Sequence, residues 1–557
     1  MALKRKKISL SEAEKILKKQ KIVFSFWNCS SKRDTPYQNY YLPMKKIFGK
    51  AILFDPRKLR AIHGSEKMNN LFLSMIKKEQ PDYIFANIRR DEVTISTMEK
   101  VRQASPKTKI ISFSGDDERD FEPLKRYQAL FVDCTLVAQV DYLKNYLKDG
   151  INNIYPTFGI NTDIFKPIDT KKIYDVTFIG KPLKPRIDIM RFLIKNKVNL
   201  RIFGPGWEAY PEFKELYLGA LPTEDMAKTI SQSRINLSLS KNADGVPHLK
   251  GRTFELAACK SFCLVEYFKG YLEFFEEGKE IIMVKNKKDL LSKINYYLKN
   301  EKKGEKIAEN AYKKAVKNHS VLNEFKNMFK EIMERPEIFR SGLPKIKENI
   351  IMLDKKDLEK KDLEIENKIK AFDYISFSDG NDILLDNKDQ LQTYSLKKTG
   401  KDASCCDYYV HDRILGNYLM TNVYKAFNYL SREQISQMLC PNQIMVRKKF
   451  FLANLNEFRK FFRGENNLLF NKKNTCLISI PLVAVKTLRK MDPGILFSAA
   501  FHKEFAIKAY LLMKQKKILI NPYIYRLAYL IVRDPLLRHC FIDALKNRKN
   551  WVLQSNH

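Results

Sequence analysis

Residues 248–266 read HLKGRTFELAACKSFCLVE, a segment that is charged at its start and almost wholly apolar at its end. Three basic residues, His248, Lys250 and Arg252, come first, and Glu255 follows within one helical turn. The residues after Lys250 predict a helix with an apolar face seated in a domain, followed by a buried strand. A helix that leads into a buried strand is the repeating unit of α/β domains.

The same alternation extends to both sides of this segment. Residues 21–166 contain the short apolar runs KIVFSFW, KAILFDP, DYIFANI, KIISFSG and ALFVDCTLVA, separated by helical patterns such as NNLFLSMIKKE. After the Gly-, Asn- and Pro-containing stretch GINTDIFKPIDTKK, the alternation restarts at YDVTFIG and runs to KEIIMVKN. Apolar strands separated by helices predict parallel sheets that are covered on both faces. We therefore predict two doubly wound, Rossmann-like domains, residues 21–166 and 167–335, that face a cleft.

Three further segments flank these domains. Residues 1–20 are basic but lack the apolar core of a signal peptide. Residues 336–371 are rich in Lys and Glu and predict a charged linker or helix. Residues 372–557 contain many aromatic residues and the helical periodicities EFAIKAYLLMKQKK and YRLAYLIVRDPLLRHCFIDALKN. The fold class that we predict is α/β, with a C-terminal α+β module that is mainly helical.

Composition restricts the compartment and the partners. The 557 residues are 44% hydrophobic and 30% charged, which is typical of a folded protein. The formal charge of +37 indicates attraction to phosphate in a nucleotide, a nucleic acid or an anionic membrane, although lysines spread throughout are also explained by a general lysine bias. The nine cysteines show no zinc-ligand spacing, and no run of about 18 apolar residues occurs. We expect free thiols and a reducing cytoplasm.

Two glycine-containing turns follow predicted strands of the second domain. In FIGKPLKPR, Gly180 ends a strand and Lys181 and Arg186 precede or enter the next helix. A glycine lets backbone amides approach an anion there, but an ordinary strand-to-helix turn needs one as well. In RIFGPGW, Gly204 permits a tight turn, and the Trp207 indole either covers a base or sugar or caps the core.

The helix that starts at Gly251 carries the most chemical information. Lys250, Arg252 and the amides of the helix start suit a diphosphate, and Glu255 can accept hydrogen bonds from a ribose diol. The alternative is an ion pair on a helix surface, which stabilises a fold by less than about 1 kcal/mol.

The order of these motifs resembles a known family. DVTFIG, LRIFGPGW, RINLSLS, KGRTFELAACKSFCLVE and a Lys-rich helix ending near NHS resemble the C-terminal domain of CgeB-like, family 1-type glycosyltransferases, which have the GT-B fold. QPDYIFANI and SFSGDDERD agree more loosely in the N-terminal half, so that the resemblance spans about 21–334. It implies transfer of a sugar from a nucleoside diphosphate donor without an obligatory metal and without a further cofactor.

The resemblance also implies residue roles. Gly180 and Arg186 line the donor phosphates, Lys250 and Arg252 neutralise the leaving diphosphate, and Glu255 holds the ribose. We place Lys181, Gly204, Trp207 and Gly251 on the donor side with them. Many relatives have a second acid eight residues after the first, but Cys263 occupies that position here and Glu266 lies three residues further on.

Two acids follow the predicted strand KIISFSG. Asp116 and Asp117 are candidates to bind the acceptor or to act as general base across the cleft. Solvated acids and a helix cap in a loop are the alternative.

A second resemblance concerns ENKIKAFDYISFSDGNDILL. It is similar to the acidic, metal-binding segment of family 2 glycosyltransferases with the GT-A fold, with Asn381 where a ligand carboxylate is expected. Fewer than about 60 residues separate it from the second domain, which is too few for the nucleotide-binding half of that fold. We infer an inactive remnant that is dispensable for donor binding and serves the acceptor or membrane attachment.

The expected partners follow from these inferences. They are a nucleotide-sugar donor, an acceptor that is a glycan, lipid-linked or a protein, and an anionic membrane surface at the periphery. Sugar transfer to nucleic acid is an alternative that the charge permits, and a non-catalytic sugar- or nucleotide-binding scaffold is another.

Overall fold

The structure is a computed structural model, and it describes residues 7–89, 92–341, 349–378, 383–384, 387–412, 416–419, 439–463, 465 and 469–485. Eight cysteines lie in these ranges as buried thiols, and none of these eight forms a disulfide. No helix in the described ranges combines the length and the apolarity that a bilayer crossing requires.

The first domain is built on six parallel strands: β1 (Lys21–Ser25), β2 (Lys50–Phe54), β3 (Tyr83–Ala86), β4 (Lys109–Ser114), β5 (Cys134–Val137) and β6 (Ile154–Pro156). They pair in the order β2-β1-β3-β4-β5-β6. Consecutive residues Ile22, Val23 and Phe24 are fully buried, because helices cover both faces of the sheet.

The helices of this domain are α1 (Leu10–Leu17), α2 (Leu42–Ile47), α3 (Pro56–His63), α4 (Ser65–Glu79), α5 (Ile95–Ala104), α6 (Asp117–Asp120), α7 (Arg126–Gln128) and α8 (Leu143–Lys148). Three of them, α1, α3 and α5, begin at side-chain caps. Ser9 and Glu12 form a capping box, Asp55 accepts a hydrogen bond from the Lys58 amide, and Thr94 accepts one from the Thr97 amide.

The second domain repeats the plan with β7 (Tyr174–Ile179), β8 (Leu200–Phe203), β9 (Ser233–Ser238), β10 (Cys263–Glu266) and β11 (Ile282–Val284), paired in parallel in the order β11-β10-β9-β7-β8. Its helices are α9 (Lys184–Lys195), α10 (Thr223–Ser231), α11 (Gly251–Ala258), α12 (Lys287–Lys299), α13 (Glu301–Asn318) and α14 (Val321–Glu334). Helix α14 returns to the first domain, where Phe325 contacts Phe85 with ring centroids 5.3 Å apart. The predicted pair of Rossmann-like domains is confirmed.

Both sheets contain a point at which the strand order reverses. In the first sheet the chain moves outward from β1 to β2 and then returns to the other side of β1 with β3. In the second sheet β7 lies between β8 and β9 in the same way. Ligands of such sheets bind outside the carboxyl ends of the strands at this reversal. Two positions for ligands are therefore built into the fold, one in each domain.

The described part of the C-terminal module is α+β, but its centre is a mixed sheet and not a helical core. The strands are β12 (Ile350–Leu353), β13 (Tyr374–Phe377), β14 (Ile383–Leu384), β15 (Ala403–Asp412), β16 (Gly416–Leu419), β17 (Ile444–Arg447) and β18 (Thr475–Val485). They pair in the order β12-β13-β17-β15-β18-β14, with β16 beside β15. The periodic segments 504–517 and 525–547, on which the helical expectation rests, lie outside the described residues.

Helices cover this third sheet: α15 (Lys355–Leu358), α16 (Asp362–Ile369), α17 (Lys388–Thr399), α18 (Lys448–Ala453) and α19 (Leu455–Phe462). The segment 336–371, expected to be a charged linker or helix, also supplies β12, because four apolar residues within it pair with β13.

Helix α17 attaches the third sheet to the first domain. Leu391 and Tyr394 are buried in the same apolar cluster as Tyr127 of the first domain. The Tyr127 and Ser395 hydroxyls are 2.7 Å apart, and the Tyr394 hydroxyl donates to the Asp149 carbonyl at 3.3 Å. The first domain and the C-terminal module therefore share a core.

Candidate active site

Two glycines hold the ends of β7 and β8 together. The Gly180 amide donates to the Phe203 carbonyl at 2.9 Å. Gly204 has a φ of +119°, and a Cβ atom there would lie 2.6 Å from the Gly180 carbonyl oxygen. Glycine is therefore required at 204 by backbone conformation and by close approach.

Trp207 lies beneath this turn and not in the cleft. Its side chain is buried, and its Nε1 donates to the Gly180 carbonyl at 2.6 Å. The indole packs edge-on against Phe178 and Phe213. Of the two roles considered for Trp207, these contacts favour the one in the core.

Arg186, at the start of α9, lies against the same turn. Its guanidinium is 5.6 Å from the Phe178 ring centroid and donates to the Lys181 carbonyl at 3.2 Å. Burial lowers the pKa of Arg186 to about 10, with Glu266 opposing the shift and Arg252 adding to it. The Lys181 side chain itself is exposed.

Lys250 precedes the first residue of α11, and its ammonium lies beside residues of both domains. Its amide donates to the Tyr271 hydroxyl at 3.1 Å, and its Nζ contacts His248 Nε2. Burial, and next the Arg186 guanidinium, lower the pKa of Lys250 to about 8. The ammonium is therefore partly desolvated and close to another cation, an arrangement that a bound anion would stabilise.

Arg252 and Glu255 form an ion pair across one turn of α11. Arg252 Nη1 contacts Glu255 Oε2, and the side chains are only 19% and 10% exposed. A pair that is this buried differs from the surface pair considered as the alternative. Gly251 opens the helix without crowding, since the nearest atom to a Cβ there would be 3.9 Å away.

Glu118 of α6 meets the second domain from across the cleft. Its Oε1 lies 3.2 Å from His248 Nδ1 and 3.5 Å from Asn242 Nδ2. Burial, followed by repulsion from Asp116, raises the pKa of Glu118 to about 7. Glu118 is not among the residues predicted from the sequence, although it directly follows Asp116 and Asp117.

Those two acids have different surroundings. Asp116 is half-exposed and pairs with Arg119 at 3.3 Å. Asp117 is buried in the first domain, where it accepts hydrogen bonds from the Ser114 and Tyr146 hydroxyls, both at 2.7 Å. Burial raises the pKa of Asp117 to about 6. Asp117 therefore faces inward, while Asp116 stays beside Glu118.

The loop before α11 is fastened to the first domain by Gln139. Its Nε2 donates to the Leu249 carbonyl at 3.2 Å, and the Leu249 amide donates back to Oε1 at 2.9 Å. This two-bond contact fixes the backbone between His248 and Lys250. No local pattern could identify it, because the partners are 110 residues apart.

Asp116, Glu118 and His248 offer ligand atoms that all lie within 4.8 Å of one another, the one group of this kind in the described ranges. Burial and then the Lys250 charge lower the pKa of His248 to about 4, so the imidazole is neutral near pH 7. The Lys250 ammonium touches that imidazole and would repel a divalent cation. The donor set therefore fits a metal poorly while Lys250 is charged.

Comparison with known proteins identifies one matching family. Residues 186–330 match the family described as glycosyl transferase-like, a segment that runs from Arg186 to α14. No curated protein matches the chain in sequence.

The chain is also similar to several solved structures at low sequence identity. The chain is similar to HepE of Anabaena, solved with UDP and glucose, at 13% identity and a TM-score of 0.43, covering 56% of this chain and 99% of that one. Sucrose-phosphate synthase of Thermosynechococcus elongatus gives 9% identity and 0.42, covering 57% and 99%. TarM of S. aureus gives 14% and 0.37, covering 49% and 59%.

The acidic motif of the second resemblance, residues 379–382, lies outside the described ranges. The inference that residues 372–557 are a truncated GT-A remnant stays a prediction.

Proposed function

We propose that the protein is a glycosyltransferase of the CgeB-like, GT-B type, which moves a sugar from a nucleoside diphosphate to an acceptor. One observation carries the proposal: Arg186, Lys250 and Arg252 converge at the strand-order reversal of the second sheet, beside the start of α11. Three cations with one partnered carboxylate, Glu255, suit a diphosphate attached to a ribose.

The cations act on the charge that develops during transfer. When the bond between sugar and diphosphate breaks, negative charge grows on the departing phosphate oxygens. Lys250 and Arg252, already fixed at the helix start, stabilise that charge without reorganisation of solvent. Arg186 neutralises the charge from the β7 side.

Glu255 is assigned to the ribose. Because its Oε2 contacts Arg252, the carboxylate is held in place and Oε1 is left to accept from a ribose hydroxyl. We expect Glu255→Gln to weaken donor binding roughly 10- to 100-fold, since a hydrogen bond to a charged group contributes about 1.5–3 kcal/mol. Calorimetry with a nucleoside diphosphate measures the effect, and Glu212→Gln, at an exposed glutamate of the same domain, is the control. Equal affinity of wild type and Glu255→Gln would refute the assignment.

Proton acceptance is assigned to the first domain. Glu118 and Asp116 lie next to the proposed phosphate-binding Lys250 and both act on its charge. A carboxylate with a pKa near 7 is suited to accept the proton of an acceptor hydroxyl. We keep Asp116 as an acceptor-binding or base candidate beside Glu118, and leave out Asp117 because it faces the domain interior.

The pH dependence follows from Lys250. Its pKa of about 8 means that the ammonium dominates below pH 8 and is lost as pH rises further. We expect kcat/KM for the donor to fall about tenfold per pH unit above pH 8, since kcat/KM reports ionisation of the free enzyme. The charges around Lys250 are Arg186, Glu118, Asp116 and Glu266. Lys250→Arg, which stays charged, should remove the fall, and a profile that is unchanged in Lys250→Arg would contradict the role.

Metal independence is a further prediction. The cations do the work that a metal does in other transferases, so we expect activity to survive excess EDTA. Loss of activity that manganese restores would contradict this. If His248→Ala then removed the manganese response, the metal would belong to the group formed by Asp116, Glu118 and His248. If it did not, residues 379–382 would be the place to look.

The acceptor is a glycan, a lipid-linked sugar or a protein in this proposal. The test is incubation of the protein with a panel of nucleotide sugars, with mass spectrometry of the products and measurement of donor hydrolysis. Donor-dependent hydrolysis or transfer is the expected result. Nucleotide binding without either reaction would favour the non-catalytic scaffold, and sugar recovered on added DNA or RNA would favour the nucleic-acid alternative.

A further inference from the structure

The strand-order reversal of the first sheet carries a cluster that the proposed donor site does not use. Trp27 follows β1 and Arg89 follows β3, the two strands between which the order reverses. Arg57, in the first turn of α3, follows the neighbouring strand β2. The guanidinium carbons of Arg57 and Arg89 lie 5.3 Å and 5.5 Å from the Trp27 ring centroid. Two arginines and one indole thus meet where a doubly wound sheet binds its ligand.

Among the described residues around this ring, the arginines Arg57, Arg60 and Arg89 outnumber the acids Glu92 and Asp55. The buried Glu92, 1% exposed, lies 3.8 Å from Arg57 Nε and is also within the fields of Arg60 and Arg89. Burial raises the pKa of Glu92, and the Arg60, Arg89 and Arg57 guanidinium groups oppose the shift.

Asp55, the other acid that acts on Glu92, is already engaged in local structure. It accepts from the Asn28 amide at 3.2 Å, the Ser30 hydroxyl at 2.8 Å and the Lys58 amide at 3.1 Å. Its carboxylate is therefore committed to the turn after β1 and to the cap of α3.

The cluster adjoins the proposed active site. Arg89 lies within the fields of Asp116 and Arg119 at the end of β4. The loop that follows Trp27 also reaches the second domain, where the Thr223 amide donates to the Arg33 carbonyl at 3.3 Å. A molecule held at Trp27 would thus lie on the first-domain side of the cleft, opposite the donor site.

We propose that Trp27, Arg57 and Arg89 form a subsite, the Trp27 subsite, for an anionic phosphate or carboxylate group of the acceptor. The guanidinium fork matches either anion with paired hydrogen bonds, and the indole fixes the forks by cation–π contact. Assignment of the anion to the acceptor rests on the proposed function, whereas the binding of an anion at this cluster does not. The competing interpretation is that both arginines only pack on Trp27 and neutralise Glu92.

The experiment uses tryptophan fluorescence of the full-length chain. Trp551→Phe serves as the background, because it leaves Trp27 and the buried Trp207 as the emitting residues. A saturating nucleoside diphosphate fills the donor site, and inorganic phosphate, glucuronate and neutral glucose are then titrated separately. We expect the fluorescence to change saturably with phosphate or with glucuronate and not with glucose. Because the two anions are titrated separately, the result also shows which of them the subsite prefers.

Variants assign the response to named side chains. Trp27→Phe should abolish it, and Arg57→Gln or Arg89→Gln should weaken anion affinity at least about tenfold. Arg191→Gln, at an exposed arginine of the second domain, is the matched control. If a glutamine variant fails to fold, Arg57→Lys keeps the charge but loses the fork and should still weaken binding.

The proposal would be overturned if Trp27 fluorescence responded to neither anion, or if it responded equally to glucose. It would also be overturned if the Arg57 and Arg89 variants bound the anions with unchanged affinity. Displacement of the anion by a short oligonucleotide at much lower concentration would assign the cluster to nucleic acid instead. Failure of the proposed function can be distinguished from failure of the Trp27 subsite. In the first case, calorimetry of the wild type would detect no binding of a nucleoside diphosphate, independently of the Trp27 fluorescence response.

Discussion

Arg252→Ala should lower kcat by about 10²–10³ while changing donor affinity much less, since removal of one fixed group that stabilises developing charge typically has an effect of this size. The charge on the diphosphate is larger in the transition state than in the bound donor, so an interaction with Arg252 strengthens as the bond breaks. Steady-state kinetics give kcat, and calorimetry gives donor affinity. Equal losses in both quantities would indicate ground-state binding only.

The ion pair with Glu255 complicates a single substitution. Removing Arg252 leaves a carboxylate near the proposed diphosphate without the partner that it contacts in the protein. A double-mutant cycle with Glu255→Gln separates the two effects. If the kcat loss persists in the double variant, it comes from lost stabilisation of the leaving group and not from the exposed carboxylate. Arg191→Ala serves as the control for loss of an arginine elsewhere in the domain.

Leu391→Ala should destabilise the protein by about 2–5 kcal/mol, because Leu391 is fully buried where the C-terminal module meets the first domain. The free energy of unfolding in urea measures the effect. Leu363→Ala, at a leucine of α16 that is 69% exposed, is the matched control and should change stability little. Equal stability of Leu391→Ala and wild type would contradict the shared core.

The same contact changes what truncation is expected to do. A chain ending near residue 350 lacks Leu391, Tyr394 and Ser395, and so uncovers Tyr127 and its neighbours in the first domain. We expect lower stability of the first domain but retained nucleotide affinity, because all proposed donor contacts lie in the second domain. Loss of nucleotide affinity while the second domain stays folded would move part of the donor site into the C-terminal module.

The local sequence was sufficient to predict the two parallel sheets. Runs such as KIVFSFW are apolar at consecutive positions, as expected of a strand buried on both faces. The candidate donor residues are also local, since Lys250, Arg252 and Glu255 belong to one helix start. Their relation to Arg186 follows from strand order, which places β7 beside β9.

Contacts between domains could not be predicted from the sequence. Glu118 meets Asn242 across 124 residues and Gln139 meets Leu249 across 110, and no spacing rule connects such partners. The burial of individual side chains could not be predicted from the sequence either. Tryptophan and aspartate, the residue types of Trp207 and Asp117, occur both in binding sites and in protein cores. The mixed third sheet escaped prediction since β12 lies within a Lys- and Glu-rich segment, where tertiary pairing overrides local composition.

The most direct test of the central claim is a crystal structure of the protein bound to the nucleoside diphosphate that calorimetry finds to bind best. We predict that the diphosphate contacts Lys250, Arg252 and the first amides of α11, with the ribose at Glu255. A nucleotide bound in the first domain or on the third sheet, with these side chains left unchanged, would contradict the account.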